Sequence, residues 1–199
     1  VLQTKTAQDV SHLWAQTRRM DFHVCGALTY SFYKNNELLN VNPTKIEKEK
    51  VAGFSVVTDI RIGDTVCLNK YVAIISSLNH PREELTQRAC SMALNAKKKG
   101  WNQLFEDHVN VWKEKWLQSD IIIDSDIAAQ QAIRYNIFQL NQTYNGNDAR
   151  LNISPKGFTG EKYSGATRWD TEAVCIPFYL CTSPQSVSKN LLLYRFRHL

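Results

Sequence analysis

Trp169 and Asp170, followed by Thr171 and Glu172, are the residues of this chain best suited to chemistry. A carboxylate accepts hydrogen bonds from ring hydroxyls and an indole covers the apolar face of a pyranose, so the pair reads as part of a sugar subsite. Upstream lie Gly157, Gly160 and Gly165, with Glu161 among them. Glycines there let backbone approach a ligand or take positive φ. The pair also has a structural reading: Asp170 could cap a helix starting near Thr171, and Trp169 could be a core aromatic. Glu161 and Glu172 raise the question of paired carboxyls, which a retaining glycosidase needs about 5 Å apart and an inverting one about 6.5–9.5 Å apart. Lys156, Lys162 and Arg168 could face a phosphate, but solvated or loop-bracing roles suit them better. The histidines, His12, His23, His80, His108 and His198, are scattered with no metal-ligand spacing, so no metal is expected. No nucleophile elbow, P-loop or dinucleotide fingerprint is present.

Composition narrows the class. The chain has 199 residues, 43% hydrophobic and 22% charged, which fits a globular protein. No apolar run approaches the roughly 18 residues of a membrane span, so no membrane partner is expected. The polar segment Val1–Met20 has no secretory pattern. Val1 in place of Met leads us to expect a piece of a longer protein. The five cysteines, Cys25, Cys67, Cys90, Cys175 and Cys181, are widely spaced and odd in number. That argues against a disulfide framework and for a reduced, cytoplasmic compartment. A net charge of +5 is mild. Its one basic cluster, Lys97–Lys99, has no interleaved aromatics, so it reads as a solvated helix face and no nucleic-acid partner is expected.

The elements that must hold the Trp-Asp pair follow from periodicity. Phe22, Val24, Leu28, Tyr30 and Phe32 alternate at period two, as do Ala52, Phe54, Val56 and Ile60, and then Val66, Leu68, Val72 and Ile74. These even positions are expected to face a core in at least three antiparallel strands. Lys34–Glu37 and Arg61–Asp64 are the turns. Pro81 then opens a helix with Leu85, Ala89, Met92, Ala93 and Ala96 on one face. A break is expected at Gly100. Leu104, Phe105, Val109, Trp112 and Trp116 form the next stripe. Asp124–Asp126 offers caps for a helix to about Tyr144, ended by Asn145-Gly146-Asn147. On that helix Arg134, beside Gln130 and Gln131, could order the glycine-rich loop through its fork of donors or lie on an exposed face. A helix from Thr171 should kink at Pro177, and Pro184 opens the last one, with Leu191, Leu192 and Tyr194.

The run Asn152-Ile153-Ser154-Pro155-Lys156-Gly157-Phe158-Thr159-Gly160-Glu161-Lys162-Tyr163, the tetrad Trp169-Asp170-Thr171-Glu172 and the upstream segment Gln130–Leu140 resemble glycoside hydrolase family 65. This is the family of the maltose, trehalose and kojibiose phosphorylases. The resemblance runs from about the first strand to the last residue. Arg168 departs from it, since the family usually carries an aromatic before the Trp. The resemblance implies an α+β chain in three parts: the end of an antiparallel β-sandwich over 1–78, a helical linker over 79–120, and the first helices of an incomplete (α/α)6 toroid over 121–199. It implies phosphorolysis of an α-linked glucose disaccharide, maltose foremost, with inversion. Phosphate is then both nucleophile and co-substrate, and no other cofactor is needed. The resemblance implies that the single general acid, a Glu, lies beyond Leu199, so no catalytic residue is expected within the chain. Trp169 and Asp170 would hold the transferred glucose, with Arg168 and Glu172 behind them and Glu161 bracing the loop. A homodimer is implied for the whole protein. Two other readings stay open: a glucoside hydrolase of the same architecture, and a non-catalytic carbohydrate-binding or structural remnant. If the chain is partial, it is expected to be inactive alone and to leave Ile133, Ile137, Leu140, Leu191, Leu192 and Tyr194 open to water.

Overall fold

The computed structural model of the protein describes residues 1–7, 9–154 and 168–198. The chain divides into two compact units, Val1–Asp107 and His108–Leu199.

The first unit is an antiparallel sheet with a helix on one face. Strands β1 (Gln3–Thr6), β2 (Ser11–Gln16), β3 (His23–Lys34) and β4 (Glu37–Leu38) follow one another, and β7 (Val66–Ser76) pairs along the other edge of β3. The short strands β5 (Thr44–Lys48) and β6 (Val51–Ser55) form a separate ribbon. Thr6 ties that ribbon to β1. Its N–H donates to Glu47 Oε2 and its hydroxyl to the Ile46 carbonyl, each at 2.9 Å. Strands β1 and β2 are too polar to have been read from the sequence.

The expected buried face is inverted. In β3 the odd residues His23, Cys25, Ala27, Thr29 and Ser31 are buried, and in β7 so are Tyr71, Ala73 and Ile75. The large even residues look outward: Leu68, Val72 and Ile74 are exposed, and Leu28, Tyr30 and Phe32 are half-buried. The reason is helix α1 (Leu85–Lys99), which seats Leu85, Ala89 and Ala93 on the small odd residues. Small side chains on both partners let backbone come close, and Leu85, with no exposed surface, contributes roughly 1.5–3 kcal/mol by its burial. Met92 turns outward, one step off this stripe, as do Val57 and Ile60 beyond β6. Tyr30 instead meets Phe54, with ring centroids 5.2 Å apart.

Local chemistry sets the turns. Asn35 and Asn36 both have positive φ, 51° and 68°, as a two-residue hairpin of strand-matching twist requires. Asp64 locks this hairpin. It accepts from Asn35 Nδ2 at 2.9 Å and from the Arg61 N–H at 2.8 Å, and it pairs with Lys34 Nζ at 2.9 Å. Those hydrogen bonds, Asn35's first and then those of Lys34 and the Arg61 backbone, hold its carboxyl down from 3.8 to about 2. A depressed carboxyl contributes stability that is complete above its unfolded value and lost as pH falls through the folded one. We therefore expect the turn to be intact above pH 3.8 and to loosen as pH approaches about 2. A carboxyl NMR titration of Asp64 checks this, and a midpoint at or above the ordinary value would refute it.

A 3-10 turn (Arg82–Glu84) follows Pro81 and leads into α1, which ends where Gly100 takes φ +83°. Helix α2 (Trp101–Ser119) starts directly after it. Its stripe is only half-buried, and Phe105 is exposed.

In the second unit, Trp112 of α2 stacks on Phe138 of α3 (Ile127–Thr143) at 5.0 Å. Asp126 caps α3 by accepting from the Ala129 N–H at 2.9 Å. Gln130 braces the segment before it, donating to the Ile121 carbonyl and accepting from the Ile123 N–H. The fork of Arg134 grips Asp120 at 2.9 and 2.6 Å, and the loop it was weighed for lies outside the described residues. Helices α4 (Ile176–Thr182) and α5 (Gln185–Arg197) complete a core of Tyr144, Ile153, Ile176, Tyr179, Val187 and Leu191. The Tyr179 hydroxyl, buried with its ring, donates to the Leu140 carbonyl at 2.8 Å. Part of the expected exposure is corrected. Ile137 and Leu191 are buried at 3% and 1% exposure, whereas Leu192 is half open. Gly146, with φ +70°, lies against Val187, and Asn190 Nδ2 donates to its carbonyl.

Candidate functional site: the Trp169–Asp170 turn

The glycine-rich string Pro155–Thr167, with Lys156, Glu161 and Lys162, lies outside the described residues. The turn that follows it is described. Arg168 and Trp169 are exposed, Asp170 and Glu172 are half-buried and Thr171 is buried.

A π-helical turn, Thr171–Cys175, follows Asp170 and runs into α4. The sequence predicts one helix kinked at Pro177. Instead, the Ile176 N–H reaches back five residues to the Thr171 carbonyl, and a regular α-helix begins with Pro177 in its first turn. Pro177 has no N–H to carry that ladder one residue further, and the π turn lies directly before it.

That geometry decides the structural reading of the pair. An N-cap residue needs extended φ/ψ to aim its side chain at the N–H groups ahead. Asp170 is helical, φ −57° and ψ −31°, and its carboxylate makes no capping bond. Within this chain Trp169 is exposed over 71% of its surface. The turn thus presents an open indole beside a carboxylate not engaged in capping.

Among the described residues, side chains of Arg195 and Thr171 hold the turn. Arg195, in the last turn of α5, donates from Nε and Nη2 to the two oxygens of Glu172 at 2.7 and 2.8 Å. The same Nη2 donates to the Arg168 carbonyl at 2.8 Å. The Thr171 hydroxyl donates to the Ile153 carbonyl at 3.4 Å, from inside the core. Glu172 is therefore an ion-pair partner, and the hydrogen bond from Arg195 holds its carboxyl below the ordinary range. Sequence reasoning passed over Arg195 and gave Thr171 no role beyond opening a helix. The available signal was the buried stripe of α5, Ser188 and Leu191, which continues one turn on to Arg195.

Among the described residues no group of three or more His, Cys, Asp or Glu could hold a metal ion, and no helix is long and apolar enough to cross a membrane. All five cysteines are free.

Comparison with known proteins gives these units a context. Residues 1–115 match the model of the glycosyl hydrolase family 65 N-terminal domain, and residues 134–199 match that of the family 65 central catalytic domain. Maltose phosphorylase of Bacillus subtilis (strain 168) is 50% identical over 132 residues, covering 66% of this chain and 17% of that protein. Alpha,alpha-trehalose phosphorylase of Thermoanaerobacter brockii is 33% identical over 149 residues, covering 74% of this chain and 19% of that protein. The chain thus spans under a fifth of the length of these relatives. A solved structure, assigned as a kojibiose phosphorylase from the human microbiome, superposes with a TM-score of 0.81 at 25% identity. It covers 98% of this chain and 25% of that one. An α+β fold with antiparallel sheets, shared with that structure, and two consecutive family-model matches lead to one assignment: the chain belongs to glycosyl hydrolase family 65.

Proposed function

We propose that the protein carrying this chain is an inverting disaccharide phosphorylase that converts maltose and inorganic phosphate to β-glucose 1-phosphate and glucose. Trp169 and Asp170 form part of the subsite for the transferred glucose, the indole against the ring and the carboxylate accepting from its hydroxyls. Phosphate attacks the anomeric carbon while a general acid protonates the departing glycosidic oxygen. Within this reading no carboxylate base activates water, and phosphate is the only co-substrate.

The observation that carries the site is the open Trp169 beside Asp170 on a turn braced by Arg195. Maltose is favoured over trehalose by the higher identity, 50% against 33%, to the phosphorylases named for those sugars. The same proposal assigns 1–78 to the end of a β-sandwich, 79–120 to a linker and 121–199 to the opening of an (α/α)6 toroid. The whole protein is proposed as a cytoplasmic homodimer.

The test uses the intact protein. Glucose 1-phosphate should form from maltose only when phosphate is present, and glucose release independent of phosphate would overturn phosphorolysis. Asp170→Asn should cost roughly ten- to a hundredfold, the worth of a charge-assisted hydrogen bond of about 1.5–3 kcal/mol. Glu161→Gln should cost far less. Trp169→Ala should weaken sugar binding and leave the protein folded. Wild-type activity in Asp170→Asn would sink the site assignment.

A further inference from the structure

We infer that Arg195 is a positioning residue for the glucose subsite, fixing the backbone before Trp169 and the Glu172 side chain after Asp170. The inference rests on the subsite reading above and goes beyond it. Arg195 touches neither of the two residues in any described contact. What it holds is Arg168, by the carbonyl, and Glu172, by both carboxylate oxygens. These residues bracket the pair, one before it and two after. One planar guanidinium thus spans the turn.

Among the described residues, the other bonds at the turn are local or one-sided. The Trp169 carbonyl accepts the Glu172 and Ala173 N–H groups at 3.1 Å, bonds internal to the turn itself. The Thr171 hydroxyl adds a bond at 3.4 Å on one side only. Arg195 instead couples the turn to a separate, buried element. Its helix is anchored one turn earlier by Leu191, at 1% exposure, and before that by Val187 and Ser188. Both partners of the ion pair are 28% exposed at their side chains, which limits screening, and the pairing is bidentate. A cation in the final turn of α5 also suits the helix dipole.

The consequence is kinetic. A sugar subsite gains rate by holding the reacting carbon in an attack geometry, and a displacement of about 1 Å can cost on the order of a hundredfold. Lysine cannot substitute, because its ammonium is a point charge without the fork that spans Glu172 and the Arg168 carbonyl.

The experiment is a mutant cycle in the intact phosphorylase, with kcat and KM for maltose measured at saturating phosphate. The variants are Arg195→Ala, Arg195→Lys, Asp170→Asn and the double variant Arg195→Ala/Asp170→Asn. Arg195→Ala should lower kcat/KM by roughly 10- to 100-fold in protein that remains folded by circular dichroism, and Arg195→Lys should restore only a minor part. The double variant should be within about threefold of Asp170→Asn alone, because both changes disable one subsite. Losses that multiply in the double variant, or Arg195→Ala with wild-type kinetics beside a crippled Asp170→Asn, would refute positioning and leave the subsite standing. An unimpaired Asp170→Asn would refute the subsite itself. If Arg195→Ala does not fold, Glu172→Gln carries the same cycle, since it removes the ion pair and leaves the Arg168 bond in place.

Discussion

A protein of these 199 residues, purified alone, is expected to form no detectable glucose 1-phosphate from maltose and phosphate. The chain spans only 17% of the length of the related maltose phosphorylase, and we propose that the general acid of the reaction is not among these residues. Loss of proton donation to the leaving oxygen removes about 10²–10⁴-fold of rate. Loss of the surfaces that orient phosphate against the anomeric carbon multiplies that deficit, since orientation alone can be worth several powers of ten. The turn at Trp169 and Asp170 would still be present, so weak sugar binding without turnover is the accompanying expectation. A coupled glucose 1-phosphate assay against the intact enzyme decides it. Turnover within tenfold of the intact enzyme would mean that the acid and the phosphate site lie within these residues.

Gly146→Ala is expected to destabilise the helical unit by about 3 kcal/mol, combining the roughly 1–2 kcal/mol of a left-handed non-glycine with about 1–3 kcal/mol of overpacking. Its φ is +70°, and a Cβ there would stand 2.4 Å from Val187 Cα and 2.7 Å from its Cβ and Cγ2. The first of these is backbone in the opening turn of α5, so a rotamer change cannot relieve it. The neighbouring bond from Asn190 Nδ2 to the Gly146 carbonyl would be strained as well. Because α5 carries Leu191 and Arg195, the variant should also loosen the turn before α4. Hydrogen exchange read by mass spectrometry should show protection lost across Gln185–Arg197 and retained in β3 and β7. Urea denaturation within 0.5 kcal/mol of wild type would contradict the close approach.

What the sequence showed best was local chemistry. Asn35-Asn36, Gly63, Gly100, Asp126 and Pro184 each act through their own backbone preferences, and each is found in the expected place. Within this chain the covered face of the sheet is the small-residue one, so size alone did not mark burial. Leu68, Val72 and Ile74 look like core by hydropathy, but Cys25, Ala27 and Ala73 are the ones covered, and only the packing of α1 reveals why. The same limit applies at the site. Trp169 and Asp170 stand out by residue type and adjacency. The Arg195–Glu172 pair is separated by 23 positions and has no spacing signature. The cap reading of Asp170 failed on a dihedral angle that no residue type declares.

The pairing of β3 with β7 has a consequence for how the sheet is made. Their register runs from Val24 opposite Ser76 to Lys34 opposite Val66, so the central strand finds its long partner only after the whole intervening ribbon has been synthesised. Closing such a loop precedes any reward from the pairing, and non-local sheets form slowly for that reason. During that interval β3 has an open edge and an apolar even face, the state in which nascent chains associate wrongly. Emergence of β7 ends the first exposure, and α1 follows it within a few residues to cover the small-residue face. The order of translation therefore matches the order in which the sheet can be closed.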